Sequence, residues 1–165
     1  MNHSFKSIIC TLCLPLGFAA GNVFAQSLQD IAGAWQLVSA KSIHAGEKTD
    51  MYGAHPRGIF TIETNGRYVL VVRRANLPKI ASNNRTTATA EENNAIVDGS
   101  MAHYGTLGVD AASHTLDFHI ETSIYPNWDG VEQKRAFTLD GNELHYANKM
   151  GSTGSATELV WKRIK

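Results

Sequence analysis

The feature that most constrains this chain is a recurring rhythm of short, strand-like stretches, each closed by a turn signal. "GIFTIE" (58–63) and "RYVLVVRR" (67–74) flank Asn65-Gly66, a strong short-range hairpin signal. "YGTLGV" (104–109) and "TLDFHIETS" (115–123) flank Asp110 to His114, and "VEQKRAFTL" (131–139) turns through Asp140-Gly141-Asn142 into "ELHYAN" (143–148). With "AWQLVSAKS" (34–42) in front and "ATELVWKR" (156–163) after the loop "GSTGS", eight strands are predicted. Strands this short, joined by turns this tight, read as antiparallel. Eight of them in up-and-down order can close into a barrel, which removes the exposed edges. The alternative is a two-sheet sandwich, which the succession of hairpins disfavours. The fold class is therefore all-β: an eight-stranded antiparallel up-and-down barrel with one short inserted helix.

That helix belongs to residues 75–102, a polar stretch unlike the rest. Thr89 followed three residues later by Glu92 is a capping-box pattern, which predicts a helix from about Ala90 to Asp98. It is either a lid over one end of the barrel or decoration on a long loop.

Residues 1–25 read as a secretory signal peptide. Lys6 precedes the apolar run "IICTLCLPLGFAA", and Val23 and Ala25 stand at the −3 and −1 positions of a cut. The run is too short for a membrane span. The expected product is an exported protein, periplasmic or secreted, whose single domain covers residues 26–165. Both cysteines, Cys10 and Cys13, leave with the signal, so the domain relies on its core alone.

Fifteen basic residues face fifteen acidic ones, and no basic stripe marks a nucleic-acid partner. The six histidines beyond the signal (44, 55, 103, 114, 119 and 145) form no HxH or HExxH pattern, so no metal is expected. There is no nucleophile elbow, phosphate loop or dinucleotide fingerprint, so no cofactor is expected. The expected partner is a small molecule, and the expected state a monomer or weak homo-oligomer.

"GAW" (33–35) at the first strand and "WKR" (161–163) on the last resemble the calycin group of barrels, which includes lipocalins. The resemblance implies that Trp35, introduced by Gly33, packs across the closed end and that Arg163 or Lys162 covers it. "GAWQLVSA", "YGAHPRGIFTIETNGRYVLVV", "HYGTLGVD", "HIETSIYPNWDGVEQKR" and "ELVWKR" together resemble the bacterial lipocalin-like domain family over nearly the whole mature chain. That family is mostly without assigned activity, so the resemblance speaks to fold more than to function. The chain lacks the disulfide and the final helix of true lipocalins.

Alternation along the strands offers two parities for a site. Leu116, Phe118 and Ile120 share one face of their strand; Asp117, His119 and Glu121 share the other. The ordinary reading puts Phe118 and Ile120 inside and leaves His119 and Glu121 in water. The resemblance points the other way, because His119, Glu121, Gln133 and Arg135 all match positions of the family pattern. Inside a barrel, Glu121 and Arg135 would have to pair, and His119 would titrate near neutrality. Tyr104, with Phe118 and Ile120, lines the site on the opposite parity. The turn "SIYPNWDG" (123–130) carries Trp128, an unusual turn residue. If the first strand starts at the closed end, this turn lies at the mouth, and Trp128 is a wall or gate of the cavity.

Three functions stay open. The first is an exported barrel binding a small, largely apolar molecule with a polar group, through Tyr104, His119, Glu121, Trp128, Gln133 and Arg135. The second is a cofactor-free isomerase or cyclase with His119 or Glu121 as acid/base and Arg135 stabilising an oxyanion. The third is a structural or envelope-stress protein with a filled interior.

Overall fold

The computed structural model describes residues 26–165; the predicted signal peptide, residues 1–25, lies outside the described residues. Nine strands follow in chain order: β1 (Gly33–His44), β2 (Glu47–Asp50), β3 (Arg57–Ile62), β4 (Arg67–Arg73), β5 (Ser100–Asp110), β6 (Thr115–Ser123), β7 (Val131–Asp140), β8 (Glu143–Asn148) and β9 (Ala156–Arg163). A short helix α1 (Leu28–Ile31) precedes them, and α2 (Ala90–Asp98) lies between β4 and β5. From β3 onward each strand pairs antiparallel with the next. β1 pairs with β3 on one side and with β9 on the other, from Trp35 opposite Arg163 to Ile43 opposite Ala156. Eight strands thus close an antiparallel barrel.

β2 is the strand that the sequence did not announce. It pairs only with the far end of β1, His44 opposite Glu47 and Lys41 opposite Asp50. Its turn is Ala45-Gly46, with φ of 49° and 84°. Two consecutive positive φ values make the primed two-residue hairpin turn, but alanine in the first position hides the signal. The β2 residues Glu-Lys-Thr-Asp are all exposed, so there is no alternation to read.

α2 begins as its capping box requires: Thr89 Oγ1 accepts from Glu92 N, and the Glu92 carboxylate accepts from Thr89 N at 2.9 Å. The strand order places α2 at the mouth, together with the 45–56, 124–130 and 149–155 loops. α1 and the short turns collect at the other end. There Trp35 is fully buried, and its Nε1 donates to Ile31 O at 2.9 Å. The Arg163 guanidinium lies 4.1 Å over the Trp35 ring and donates to Ala32 O at 2.7 Å and Asp30 O at 2.5 Å. Gly33 has φ +126°, and a Cβ there would stand 3.1 Å from Arg163 Nη1, so glycine suits both the backbone and the close approach. Lys162 points to solvent.

Above this seal the interior is filled by aromatic rings. Phe60 stacks on Phe118 at 5.9 Å, Tyr68 meets Phe118 edge-on at 5.0 Å, and Phe60 lies 5.4 Å from Trp161. An eight-stranded barrel has room for side chains or one small ligand, and here the side chains take the lower part.

One irregularity aims the upper part. Tyr104 pairs with Thr122 but Gly105 pairs with Ile120, so Glu121 is an extra residue in β6. The bulge resets the alternation: Ile120 points in, Glu121 and Thr122 point out, and Ser123 points in again. Gly105 makes this possible, because a Cβ there would lie 2.0 Å from His119 O.

Candidate functional site

Toward the mouth the interior changes from apolar to polar. β7 sends Gln133, Arg135 and Phe137 inward. Arg135 is only 3% exposed. Its guanidinium lies 4.0 Å over Phe118 and 5.2 Å from the Tyr146 ring. Its Nη2 donates to Gln133 Oε1 at 2.8 Å, and Asn148 Nδ2 donates to the same oxygen at 3.1 Å. Its Nε has no hydrogen-bond partner among the described residues. No Asp or Glu lines this chamber among the described residues.

β5 contributes His103, also 3% exposed. Its Nδ1 is 2.9 Å from the Tyr68 hydroxyl. Burial, with the Arg135 charge adding to it, pushes the imidazole down to about 2, so His103 is neutral. Burial raises the Tyr68 phenol well above its ordinary range, so it keeps its proton. The Tyr146 hydroxyl is buried beside Trp161 Nε1 and Arg135, close enough to feel both but in full hydrogen-bond geometry with neither. Burial raises its pKa as well, against the opposing pull of Arg135.

Trp128 closes the side of this chamber. Its ring meets His103 edge-on at 5.9 Å and Tyr125 at 5.7 Å. Pro126–Trp128 form one 3-10 turn. Asp129 Oδ1 accepts from Ser123 N at 2.7 Å, and Ser123 Oγ accepts from Tyr125 N at 3.0 Å. The β6 bulge thus turns Ser123 inward, and Ser123 in turn pins the loop that carries Trp128.

The chamber holds a cavity of about 40 Å³, walled by Leu70, His103, Trp128, Arg135, Tyr146 and Leu159. A single water needs roughly 10–15 Å³ on this measure, so a head group of a few atoms fits and a large ligand does not. Above it, a vestibule of about 720 Å³ lies among α2 and the mouth loops, lined by Arg74, Ile96, Val97, Ile124 and Tyr125. Met51, Tyr52 and Met101 border both spaces and form the partition between them.

A family model described as a lipocalin-like domain matches residues 32–164, the whole barrel. The chain belongs to the lipocalin-like domain family. No curated protein matches it.

The lipocalin-like barrel separates the residues that the sequence grouped. Gln133, Arg135 and Trp128 line or border the chamber. His119 and Glu121 do not, which corrects the inward constellation. Residues paired across antiparallel strands share a face, and Arg135 pairs with Leu116 while Gln133 pairs with Phe118. An inward Arg135 therefore forces Phe118 inward and His119 outward. On the outer wall Glu121 pairs with Arg67 in place of Arg135, and His119 lies 3.8 Å from Glu132. Tyr104 is 41% exposed on the same outer wall, opposite Thr122, so it too lies outside the site expected for it.

His103, Tyr68, Tyr146 and Asn148 are the chamber residues that sequence reading missed. The signal for His103 was present. Met101, His103 and Leu107 alternate in "MAHYGTL", but β5 begins at Ser100, ahead of the stretch from Tyr104 that reads as a strand.

Proposed function

We propose that this lipocalin-like domain is an exported binding protein that holds a small, largely apolar molecule by its polar group. The polar group sits in the chamber against Arg135, Gln133 and His103, with Trp128 beside it. The apolar body runs past Met51 and Met101 into the vestibule. Export rests on the signal-like pattern of residues 1–25.

The observation that carries this reading is Arg135. A guanidinium is always charged, and burying a charge without a partner of opposite sign costs several kcal/mol. Here the rings of Phe118 and Tyr146 and one amide oxygen are its partners among the described residues, and none carries a negative charge. A fold that needed Arg135 only for stability would supply it with a carboxylate or backbone carbonyls. A pocket that keeps it for a ligand leaves donors free.

The chamber favours binding over acid–base catalysis. A proton-abstracting base is expected within reach of the substrate. His119 and Glu121, the acid/base candidates of the sequence, are on the outer wall. His103, the ionisable acceptor nearest the cavity, has Nδ1 engaged with Tyr68.

Native mass spectrometry of the protein purified from its own host tests the reading. A co-purifying small molecule that is lost from an Arg135→Met variant is expected. A protein that carries nothing and binds nothing from a host extract would sink it.

A further inference from the structure

We propose that the chamber is a two-armed clamp for a monocarboxylate: Arg135 is the charged arm, and His103, held by Tyr68 as a neutral N–H donor, is the second. This rests on the reading of the barrel as a small-molecule binder and names the class of molecule.

The polarity of the Tyr68–His103 bond decides the role of the histidine. Tyr68 has one proton to donate, and His103 Nδ1 is its hydrogen-bond partner among the described residues. The reverse polarity, with Nδ1–H donating to the phenol, would leave the Tyr68 proton buried without an acceptor. Tyr68 therefore donates and Nδ1 accepts. A neutral imidazole carries one proton, so that proton is on Nε2. His103 lines the cavity, and no hydrogen-bond partner of Nε2 is found among the described residues. Tyr68 is a positioning residue: it fixes which tautomer the chamber presents.

The other polar atoms lead to the same ligand. Gln133 Oε1 is taken by Arg135 and Asn148, and Asn148 Oδ1 accepts from Met150 N at 3.1 Å. Gln133 Oε1 thus has both lone pairs engaged and Asn148 Oδ1 one of its two. What stays open among the described residues is a set of donors: Arg135 Nε, the Tyr146 hydroxyl and the neighbouring Trp161 Nε1 are buried without a partner, and His103 bonds only through Nδ1, which leaves Nε2–H. Ser152 and Thr157 hydroxyls, toward the mouth, can act either way. A head group that only accepts suits this set. An ionised carboxylate accepts on both oxygens and donates on neither. An amide or alcohol brings a proton of its own with few acceptors to meet it.

Charge narrows the class further. The chamber contains one fixed positive charge and a neutral histidine, which matches one negative charge. A phosphate monoester would bring close to two. The vestibule beyond the Met51–Met101 partition is apolar on its Ile96, Val97 and Ile124 side. Methionine side chains adapt to varied shapes, so the tail can vary where the head cannot.

Titration calorimetry at neutral pH tests this with octanoate and hexadecanoate, each against its alcohol, its primary amide and its alkyl phosphate. The acids should bind about 10- to 100-fold more tightly than the alcohols and amides, the range of one charge-assisted hydrogen bond, and more tightly than the phosphates. Arg135→Met should erase the preference for the acid over the alcohol. Tyr68→Phe keeps the ring and frees the tautomer, so the preference for acid over amide should fall severalfold. Nitrogen-15 NMR of His103 should show the proton on Nε2 in the native protein and not in Tyr68→Phe. Alcohols or amides binding as tightly as acids, or a proton found on Nδ1, would overturn the clamp and leave the binding reading standing. If no member of the series binds and nothing co-purifies, both fall.

Discussion

Arg163 and Arg135 each place a guanidinium over an aromatic ring, 4.1 Å over Trp35 and 4.0 Å over Phe118. One sits at the closed end and the other under the mouth, and their remaining contacts differ. Arg163 reaches two backbone carbonyls, of Ala32 and Asp30, that the short helix would otherwise leave open. Arg135 reaches one amide oxygen and keeps its Nε unpaired although it is the more deeply buried. The same stacking interaction thus completes a structure at one end and withholds completion at the other. Satisfied donors mark what holds a fold together; open donors in a buried place mark what the fold is kept for.

The largest effect should come from the closed end. Trp35→Ala should cost about 3–5 kcal/mol, as core aromatic truncations do, measured by denaturant melt; a loss under about 1 kcal/mol would show that the ring does not seal the barrel.

Acid should reveal the chamber next. His103 has a native pKa near 2 against an unfolded value of 6.5, so the unfolded chain takes up the proton first. Its contribution is complete above pH 6.5 and declines as pH falls below it, at a limiting slope of about 1.4 kcal/mol per pH unit. Between pH 6.5 and 4.5, above the range where carboxylates such as Glu121 lose their charge, stability should fall by about 2 kcal/mol. His103→Leu should flatten that window. Arg135→Met should narrow it, because the charge that helps depress the imidazole is gone.

The two arginines should then diverge in sign. Arg163→Met should cost about 2 kcal/mol by stranding two carbonyls. Arg135→Met should leave stability unchanged or raise it by about 1 kcal/mol, as replacing a poorly paired buried charge often does, while abolishing ligand uptake. Equal losses at both sites, compared by melts of the two variants side by side, would erase the contrast. The smallest effect belongs to the outer wall: His119→Ala and Glu121→Gln should leave binding unchanged by calorimetry.

The barrel and its closed end could be read from residues because their signals are local. Asn65-Gly66, the Thr89–Glu92 box and the alternation of β3 and β4 each act over a few positions. Gly33, Trp35 and "WKR" came through resemblance and needed no register. The chamber was harder because its membership depends on which strand face points inward, and a one-residue error inverts that answer. Taking His119 and Arg135 as companions was such an error; the pairing of Phe118 with Gln133, which the 124–130 turn determines, excludes it. β2 escaped for the opposite reason, since Ala45-Gly46 forms its turn with a residue that does not advertise it.

The extra residue at Glu121 gives the molecule a dial that its core does not feel. If Glu121 were taken into the ladder as an ordinary residue opposite Tyr104, each turn signal and each aromatic ring below it would stay in place, yet Ser123 would rotate to the outer wall and take the anchor of the Trp128 loop with it. A shared barrel of this kind can therefore acquire a new selectivity by making or losing one bulge near the rim, without any change to the residues that fold it.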